Sequence, residues 1–231
     1  AQAGARLILA ARRLERLEQV VEELQQAYAV PVHCLQMDVR DRPTVESTLE
    51  SLPTEWADIE ILINNAGLSR GLDPFQDSGI EDWEEMIDTN LKGLLYVTRF
   101  LLPGMISRGR GHVVNLGSIA GHQTYPKGHV YCATKAAVRA ITEGLKQDLL
   151  GTPIRITSVD PGLVETEFSV VRFHGDTARA KGVYQGLTPL TPADVADVIL
   201  FCVTRPAHVN LSEILMVPTD QATATLVHRQ P

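Results

Sequence analysis

No run in these 231 residues approaches the ~18–20 consecutive apolar positions that span a bilayer; stretches such as Leu7–Ala11 end after a handful. Neither a membrane helix nor a signal peptide is expected. Cysteine is scarce, and Cys34, Cys132 and Cys202 are odd in number with no C-x-x-C spacing. That fits free thiols of a reducing compartment, hence the cytoplasm, better than a disulfide framework. Positive charge is in deficit, with 21 Lys+Arg against 28 Asp+Glu and a formal net charge of −7, so a phosphate backbone would meet no basic face. Nucleic acid is therefore excluded as the main partner; Arg12–Arg13 is a pair, not a patch. The seven histidines contain no H-x-x-x-H pair and no Cys/His cluster with ligand spacing, so no metal is expected. Repeats, low-complexity tracts and interdomain linkers are lacking too.

What is present is an ordinary globular composition, 44% hydrophobic and 21% charged, long enough for one α/β domain with a sizeable core. Short apolar runs alternate with longer amphipathic stretches, the signal for βαβ units around a parallel sheet. Strands are expected at Arg6–Ala10, Val32–Met37, Ile59–Asn64, His112–Leu116, Ile154–Asp160 and Ile214–Val217. Helices are expected from Leu14 to about Tyr28, over Pro43–Leu52, as one long stretch over Glu81–Ser107, over Val130–Leu150, and from Pro192 with Thr191 as N-cap. Residues 162–190 hold glycines and weak periodicity, the pattern of a long excursion that serves as a lid or binding loop.

The pattern alone licenses a doubly wound α/β fold with its ligand at the carboxyl ends of the strands. Four local constellations say more. Tyr131 and Lys135 stand four apart at the start of a helix, hence on one face. Free tyrosine, with a pKa near ~10, is too weak an acid for proton transfer at neutral pH, and a nearby ammonium favours its phenolate. Such a pair makes a general acid/base; the plainer alternative is a solvated Lys beside a half-buried Tyr. Ser118 lies just past the strand His112–Leu116, where it would show its hydroxyl to a ligand or serve as a turn or N-cap residue. Asn90 is a polar side chain in an apolar helical stretch, alternatively a satisfied core amide. Asn64-Asn65-Ala66-Gly67 closes a strand with small residues that let the chain pass close to a ligand, or forms an ordinary Asn/Gly turn.

In that order and spacing, Asn64–Gly67, Asn90, Ser118, Tyr131 and Lys135 resemble the short-chain dehydrogenase/reductase family. Segments 38–42 (D-V-R-D-R), 61–68 (I-L-I-N-N-A-G-L), 81–90 (E-D-W-E-E-M-I-D-T-N), 161–168 (P-G-L-V-E-T-E-F) and 190–195 (L-T-P-A-D-V) carry the resemblance to the bacterial NADP-dependent 3-hydroxy acid (serine, L-allo-threonine) dehydrogenases. It covers essentially the whole chain. The resemblance implies a Rossmann-like single domain that oxidises short 3-hydroxy acids or reduces the matching semialdehydes. In it Tyr131 is the general acid/base, Lys135 lowers its pKa and bonds the nicotinamide ribose, Ser118 donates to the substrate oxygen, and Asn90 holds a relay water. Asp38 and Val39 would border the adenine, Asn65 with Ala66 and Gly67 the adjacent ribose, and Pro161, Gly162, Val164 and Thr166 the nicotinamide end. A homotetramer built through the long helices is implied as well, with the terminal Thr225–Pro231 segment reaching a neighbour. The alternatives are a broad carbonyl or ketoacyl-type reductase of the same superfamily, and a catalytically silent Rossmann-like assembly subunit, for which this set of polar residues would be superfluous.

Cofactor choice has a physical argument of its own. NAD enzymes end the second strand on an acid that binds the ribose 2′-OH, whereas arginine accommodates a 2′-phosphate. Here Arg6–Ala10 runs into Arg12 and Arg13 with no acid before Glu15, which selects NADP unless both arginines are merely solvated. Family members begin with a strand and a Gly-rich phosphate loop, whereas Ala1–Arg6 reads as the end of the helix that follows that loop, capped by Gly4. The first strand and loop, on the order of 20 residues, are thus expected to be missing from the sequence. Arg172, in the excursion, is a candidate for bidentate binding of a substrate carboxylate. Lys127, His122 and His129 flank the catalytic segment as pocket or loop residues, and Cys132 is read as packing.

Overall fold

Parallel pairing needs a crossover between strands, and the alternating pattern supplies one each time. In the computed structural model, which describes residues 1–230, the chain forms two compact units, Ala1–Asp58 and Ile59–Pro231. The first holds β1 (Leu7–Ala11), α1 (Leu14–Ala27), β2 (Val32–Gln36) and α2 (Arg42–Glu50), with β1 and β2 parallel in the register Leu7↔Val32 to Ala11↔Gln36. At its start Gly4 takes φ +79° and donates its N–H to the Ala1 carbonyl at 2.8 Å, the left-handed geometry glycine tolerates. Tyr28 leaves the expected apolar stripe of α1, since it is already extended and partly exposed.

The second unit is a four-stranded parallel sheet in the order β3 (Ile61–Asn64), β4 (Gly111–Leu116), β5 (Ile154–Pro161), β6 (Glu213–Met216). Successive side chains of a strand face opposite sides. Val114 and Val159 therefore meet Cys202, Val195, Val198 and Ile199 of α8 (Pro192–Val203) on one face. On the other face Asn64 and Asn115 meet Thr98 of α4 (Leu94–Arg108) and Thr142 of α5 (His129–Asp148). The sheet is doubly wound, as expected. Thr191 caps α8 reciprocally with Asp194, also as expected.

The long helix expected over Glu81–Ser107 is instead three pieces. α3 (Ile80–Ile87) and α4 are joined by a wide π turn, Asp88–Gly93, that contains Asn90. Inserted turns of this kind cluster at functional sites. The excursion carries two short helices, α6 (Phe168–Arg172) and α7 (Thr177–Gly182). Of the terminal segment, Gln230 N donates to Gly186 O at 2.6 Å and Arg229 donates to the Val183 carbonyl at 3.0 Å and to that of Gln185. Pro231 lies outside the described residues.

One core group makes a pH prediction. His112 is buried between β4 and β5, bonded through Nε2 to Thr157 Oγ1 at 2.7 Å, while its Nδ1 meets no partner among the described residues. Burial, with Arg155 nearby, lowers its pKa from 6.5 to about 4. Between those values the unfolded chain binds the proton and the folded chain does not, so stability falls as pH drops from 6.5 towards 4, by about 3 kcal/mol in all. His112→Leu should flatten that acid limb in urea titrations taken at several pH values. An unchanged slope would place the acid sensitivity elsewhere.

Candidate active site

Tyr131 and Lys135 occupy the first turns of α5, one turn apart and 8% and 7% exposed. Lys135 Nζ donates to the Leu116 carbonyl at the end of β4 at 2.7 Å, and lies 6.0 Å from the centre of the Tyr131 ring. Burial lowers the lysine to about 8 against the opposing pull of Asp160. Burial likewise drives the Tyr131 phenol above its ordinary value, with Tyr125 adding to the rise; a hydrogen bond from Ser118 and the charge of Arg172 work the other way. In the chain itself, then, desolvation outweighs the acidifying effect expected of Lys135. At Gly67 a Cβ would stand 3.5 Å from Lys135 Nζ and 3.4 Å from Asn90 Oδ1, so this bend runs against both groups.

Asn90 is a satisfied core amide. Its Oδ1 accepts from Leu68 N at 2.8 Å and its Nδ2 donates to Leu68 O at 2.8 Å and Thr134 Oγ1 at 3.1 Å. It therefore fixes the bend after β3 to the helix that carries Tyr131. Asn64 ties strands together, donating to Asn115 Oδ1 and Thr98 Oγ1, both at 2.8 Å. Ser118 is the N-cap of a single turn, Ile119–Gly121, accepting from Ala120 N at 3.1 Å and donating to Pro161 O at 3.4 Å. The structural role and a hydroxyl placed beside Tyr131 coexist.

Beneath this segment lies a group that the sequence did not single out. Asp160 is 1% exposed, accepting from Ser158 Oγ at 2.6 Å and bonded to His122 Nε2 at 2.7 Å. It packs so closely on Gly117 that a Cβ there would come within 1.8 Å of Oδ1. Burial raises its pKa, and Ser158 and His122 counter that rise. Among the described residues, His122, Asp160 and Glu213 converge to within 4.8 Å, a His/carboxylate set invisible in linear spacing, and Arg139 Nε donates to Glu213 at 2.7 Å.

Arg172 comes over the Tyr131 ring. From the last turn of α6 its Nε donates to Ser69 Oγ at 3.0 Å and its Nη2 to Tyr125 Oη at 2.5 Å, and its guanidinium carbon lies 5.4 Å from the Tyr131 ring centre. Ser69 and Tyr125 were not anticipated, since only the fold brings them within reach. His129 stacks edgewise on Phe75 and Trp83, and with Lys127 and Gly128 lines a small cavity that reaches Tyr131. Cys132 is buried in the cluster around Tyr131, Leu68, Met86 and Ala120, a packing role.

The remaining expected residues lie at strand ends. In the first unit, Arg12 and Arg13 follow β1, while Asp38 and Val39 follow β2. The Asp38 carboxylate is held by Arg40, with Nη2 to Oδ2 at 2.6 Å, and the Arg40 and Arg12 charges keep its pKa low despite partial burial. Arg40 was missing from the sequence expectation. In the second unit Asn65, Ala66 and Gly67 are exposed after β3. Pro161 ends β5, and Gly162 follows against Gln221, whose Oε1 accepts from Leu163 N at 2.9 Å. Val164 O accepts from Tyr184 Oη at 2.8 Å, and Thr166 Oγ1 accepts from Phe168 N at 3.0 Å.

A family model described as short chain dehydrogenase matches residues 1–176. The NADP-dependent 3-hydroxy acid dehydrogenase YdfG of Escherichia coli O157:H7 is 49% identical over 231 residues, 99% of this chain and 92% of that protein. Sulfoacetaldehyde reductase 2 of Chromohalobacter salexigens is 48% identical over 223 residues, 96% of this chain and 88% of the relative. Among solved structures, the closed form of a serine dehydrogenase complexed with NADP+ superposes with a TM-score of 0.93 at 48% identity, over 99% of this chain and 92% of its own.

Proposed function

The chain belongs to the short chain dehydrogenase family, and from that membership we propose that it is an NADP-dependent oxidoreductase acting on short 3-hydroxy acids. It oxidises the 3-hydroxyl of L-serine, L-allo-threonine or 3-hydroxypropionate, or reduces the matching semialdehydes. The observation that carries the substrate class is Arg172, whose guanidinium stands 5.4 Å from the Tyr131 ring. A short 3-hydroxy acid carries a carboxylate for that guanidinium at one end and a hydroxyl for the phenol at the other. Tyr131 takes the hydroxyl proton on oxidation and returns it on reduction, and Ser118 donates to the oxygen on which charge develops. Lys135 holds the nicotinamide ribose, and Asn90 keeps a relay water beside it. Arg12 and Arg13 pair with the 2′-phosphate, Asp38 and Val39 border the adenine, and Asn65, Ala66 and Gly67 the adjoining ribose. Pro161, Gly162, Val164 and Thr166 border the nicotinamide. The cofactor supplies or accepts the hydride.

A Cβ at Gly67 would make ordinary van der Waals contact with Lys135 Nζ and Asn90 Oδ1, so the exposed backbone of this bend lies beside the lysine that would bond the ribose. We place residues 162–190 as the substrate lid of one catalytic domain. The homotetramer is supported by apolar Leu95 and Ile106, exposed on α4. A cytoplasmic location is supported by three free thiols, and no helix among the described residues is long and apolar enough to cross a membrane.

The test is a fluorescence titration of the full chain with NADPH and with NADH, followed by kinetics on L-serine. NADPH should bind the more tightly, and Arg12→Ala with Arg13→Ala should erase the preference by roughly 10–100-fold, the worth of one or two charge-assisted bonds. Arg172→Met should raise the KM for L-serine by a similar factor. Equal affinity for both nucleotides, or an unchanged KM, would overturn the respective assignment. A sulfonate is a second anion for the same guanidinium, favoured by the reductase from C. salexigens, and sulfoacetaldehyde is the substrate to try beside the acids.

A further inference from the structure

The guanidinium of Arg172 is nearer to the Tyr131 ring than the lysine one turn along the helix, at 5.4 Å against 6.0 Å from the ring centre. Its placement is built rather than incidental. Nε and Nη2 are taken by Ser69 and Tyr125, and the guanidinium carbon also lies 5.4 Å from the Phe168 ring and 5.8 Å from that of Tyr125. The backbone beneath it is clamped from the loop after β3. Gly71 N donates to Arg172 O at 2.9 Å, and Arg70 Nη1 to Val171 O at 2.6 Å, with Arg70 itself held by Glu85 at 2.6 Å. Lys135, by contrast, spends a donor on the Leu116 carbonyl.

We infer that Arg172 is a second cation for Tyr131, a positioning residue that α6 holds against the phenol to favour its ionised form whether or not the substrate carries a carboxylate. A guanidinium over a neutral ring already gains from the ring's negative face, and the gain grows when that ring acquires a full charge. An opposite charge within about 4–6 Å moves a tyrosine down by about one pH unit or more. Beside this phenol stand Arg172 from α6, Tyr125 from the loop before α5, and Cys132 and Lys135 from α5 itself, with Asp160 acting on Lys135; Arg70 and Asp73 from the loop after β3, Asp82 from α3, Lys127 and His129 line the small cavity that reaches it. Tyr125 and Cys132 oppose ionisation. Lys135, with its pKa lowered to about 8, loses its charge as alcohol oxidation becomes favourable at alkaline pH, whereas a guanidinium keeps its own throughout. Arg172 is therefore the cation that persists.

This inference rests on the same active site as the proposed function but makes a different demand of Arg172, and the two separate experimentally. The pH dependence of kcat for oxidation is measured on 3-hydroxypropionate and on 1,3-propanediol, which has the same chain without the carboxylate. Wild type, Arg172→Met and Arg172→Lys are compared. The tyrosinate absorbance of each is titrated as the difference from its Tyr131→Phe counterpart. With Arg172→Met the kcat limb should move up by about one pH unit on both substrates, a roughly tenfold loss at neutral pH, and Arg172→Lys should restore most of it. A limb and a tyrosinate difference unmoved by Arg172→Met overturn the inference, even if the KM for the acid rises. A moved limb with no rise in KM particular to the acid upholds it and removes the carboxylate contact instead.

Discussion

Tyr131→Phe is expected to lower turnover of L-serine with NADP by about 10²–10⁴-fold at neutral pH, while NADPH binding changes little. The substitution removes one oxygen and leaves the ring that packs with Leu68, Met86, Ala120 and Cys132 and lies edgewise to Phe168, so the fold around it should hold. What is lost is the group that exchanges the proton. The two hydroxyl groups beside it do not replace it. Ser118 is an aliphatic alcohol, a far weaker acid than a phenol, and Tyr125 is bonded to the Arg172 guanidinium, with burial holding its own proton tightly. Steady-state kinetics with fluorescence titration of NADPH on the same preparation check the prediction. Near-normal turnover would remove Tyr131 from the chemistry and with it the mechanism proposed above.

The residues behind that prediction were legible because each sits where a local rule puts it. Tyr131 and Lys135 share a helix face through four-residue spacing, and Ser118 and Asn64 stand at the carboxyl ends of strands whose apolar runs are unmistakable. What the sequence hid was anything decided by contacts across the fold. Arg172 stood out as a charge in a long excursion, but its partners Ser69 and Tyr125 are 103 and 47 residues away along the chain. Asp160 read as the polar end of a strand, and only the pairing of β4 with β5 sets it under Gly117 and against His122. Arg40 lies two residues from Asp38, and nothing in that spacing reveals that its guanidinium clasps the carboxylate. The break between α3 and α4 was hidden for a related reason. Apolar spacing over Glu81–Ser107 is continuous, and the amide that ties the π turn to the bend after β3 bonds sideways to another segment, which no spacing along the helix displays.

That amide makes Asn90→Ala the most damaging of the single substitutions for stability. Asn90 is buried, and its side chain pairs both the N–H and the C=O of buried Leu68. Alanine leaves those two backbone groups unmet, while the Thr134 hydroxyl keeps its bond to the Tyr131 carbonyl; at about 1–3 kcal/mol for each buried group left unmet, the cost is roughly 2–6 kcal/mol in total. For a chain of this size that corresponds to a fall in Tm of roughly 4–24 °C by calorimetry. Asn90→Asp should fall between, because a carboxylate can still accept from Leu68 N but cannot donate to Leu68 O. The consequence extends to function, since Leu68 precedes Ser69 and Ser69 steadies Arg172. Asn90→Ala should therefore raise the KM for L-serine as well as lowering Tm, and it should do so even well below its melting point. A variant that melts with the wild type would mean that the turn is held by its own backbone, and that the bend after β3 reaches Lys135 without help from Asn90.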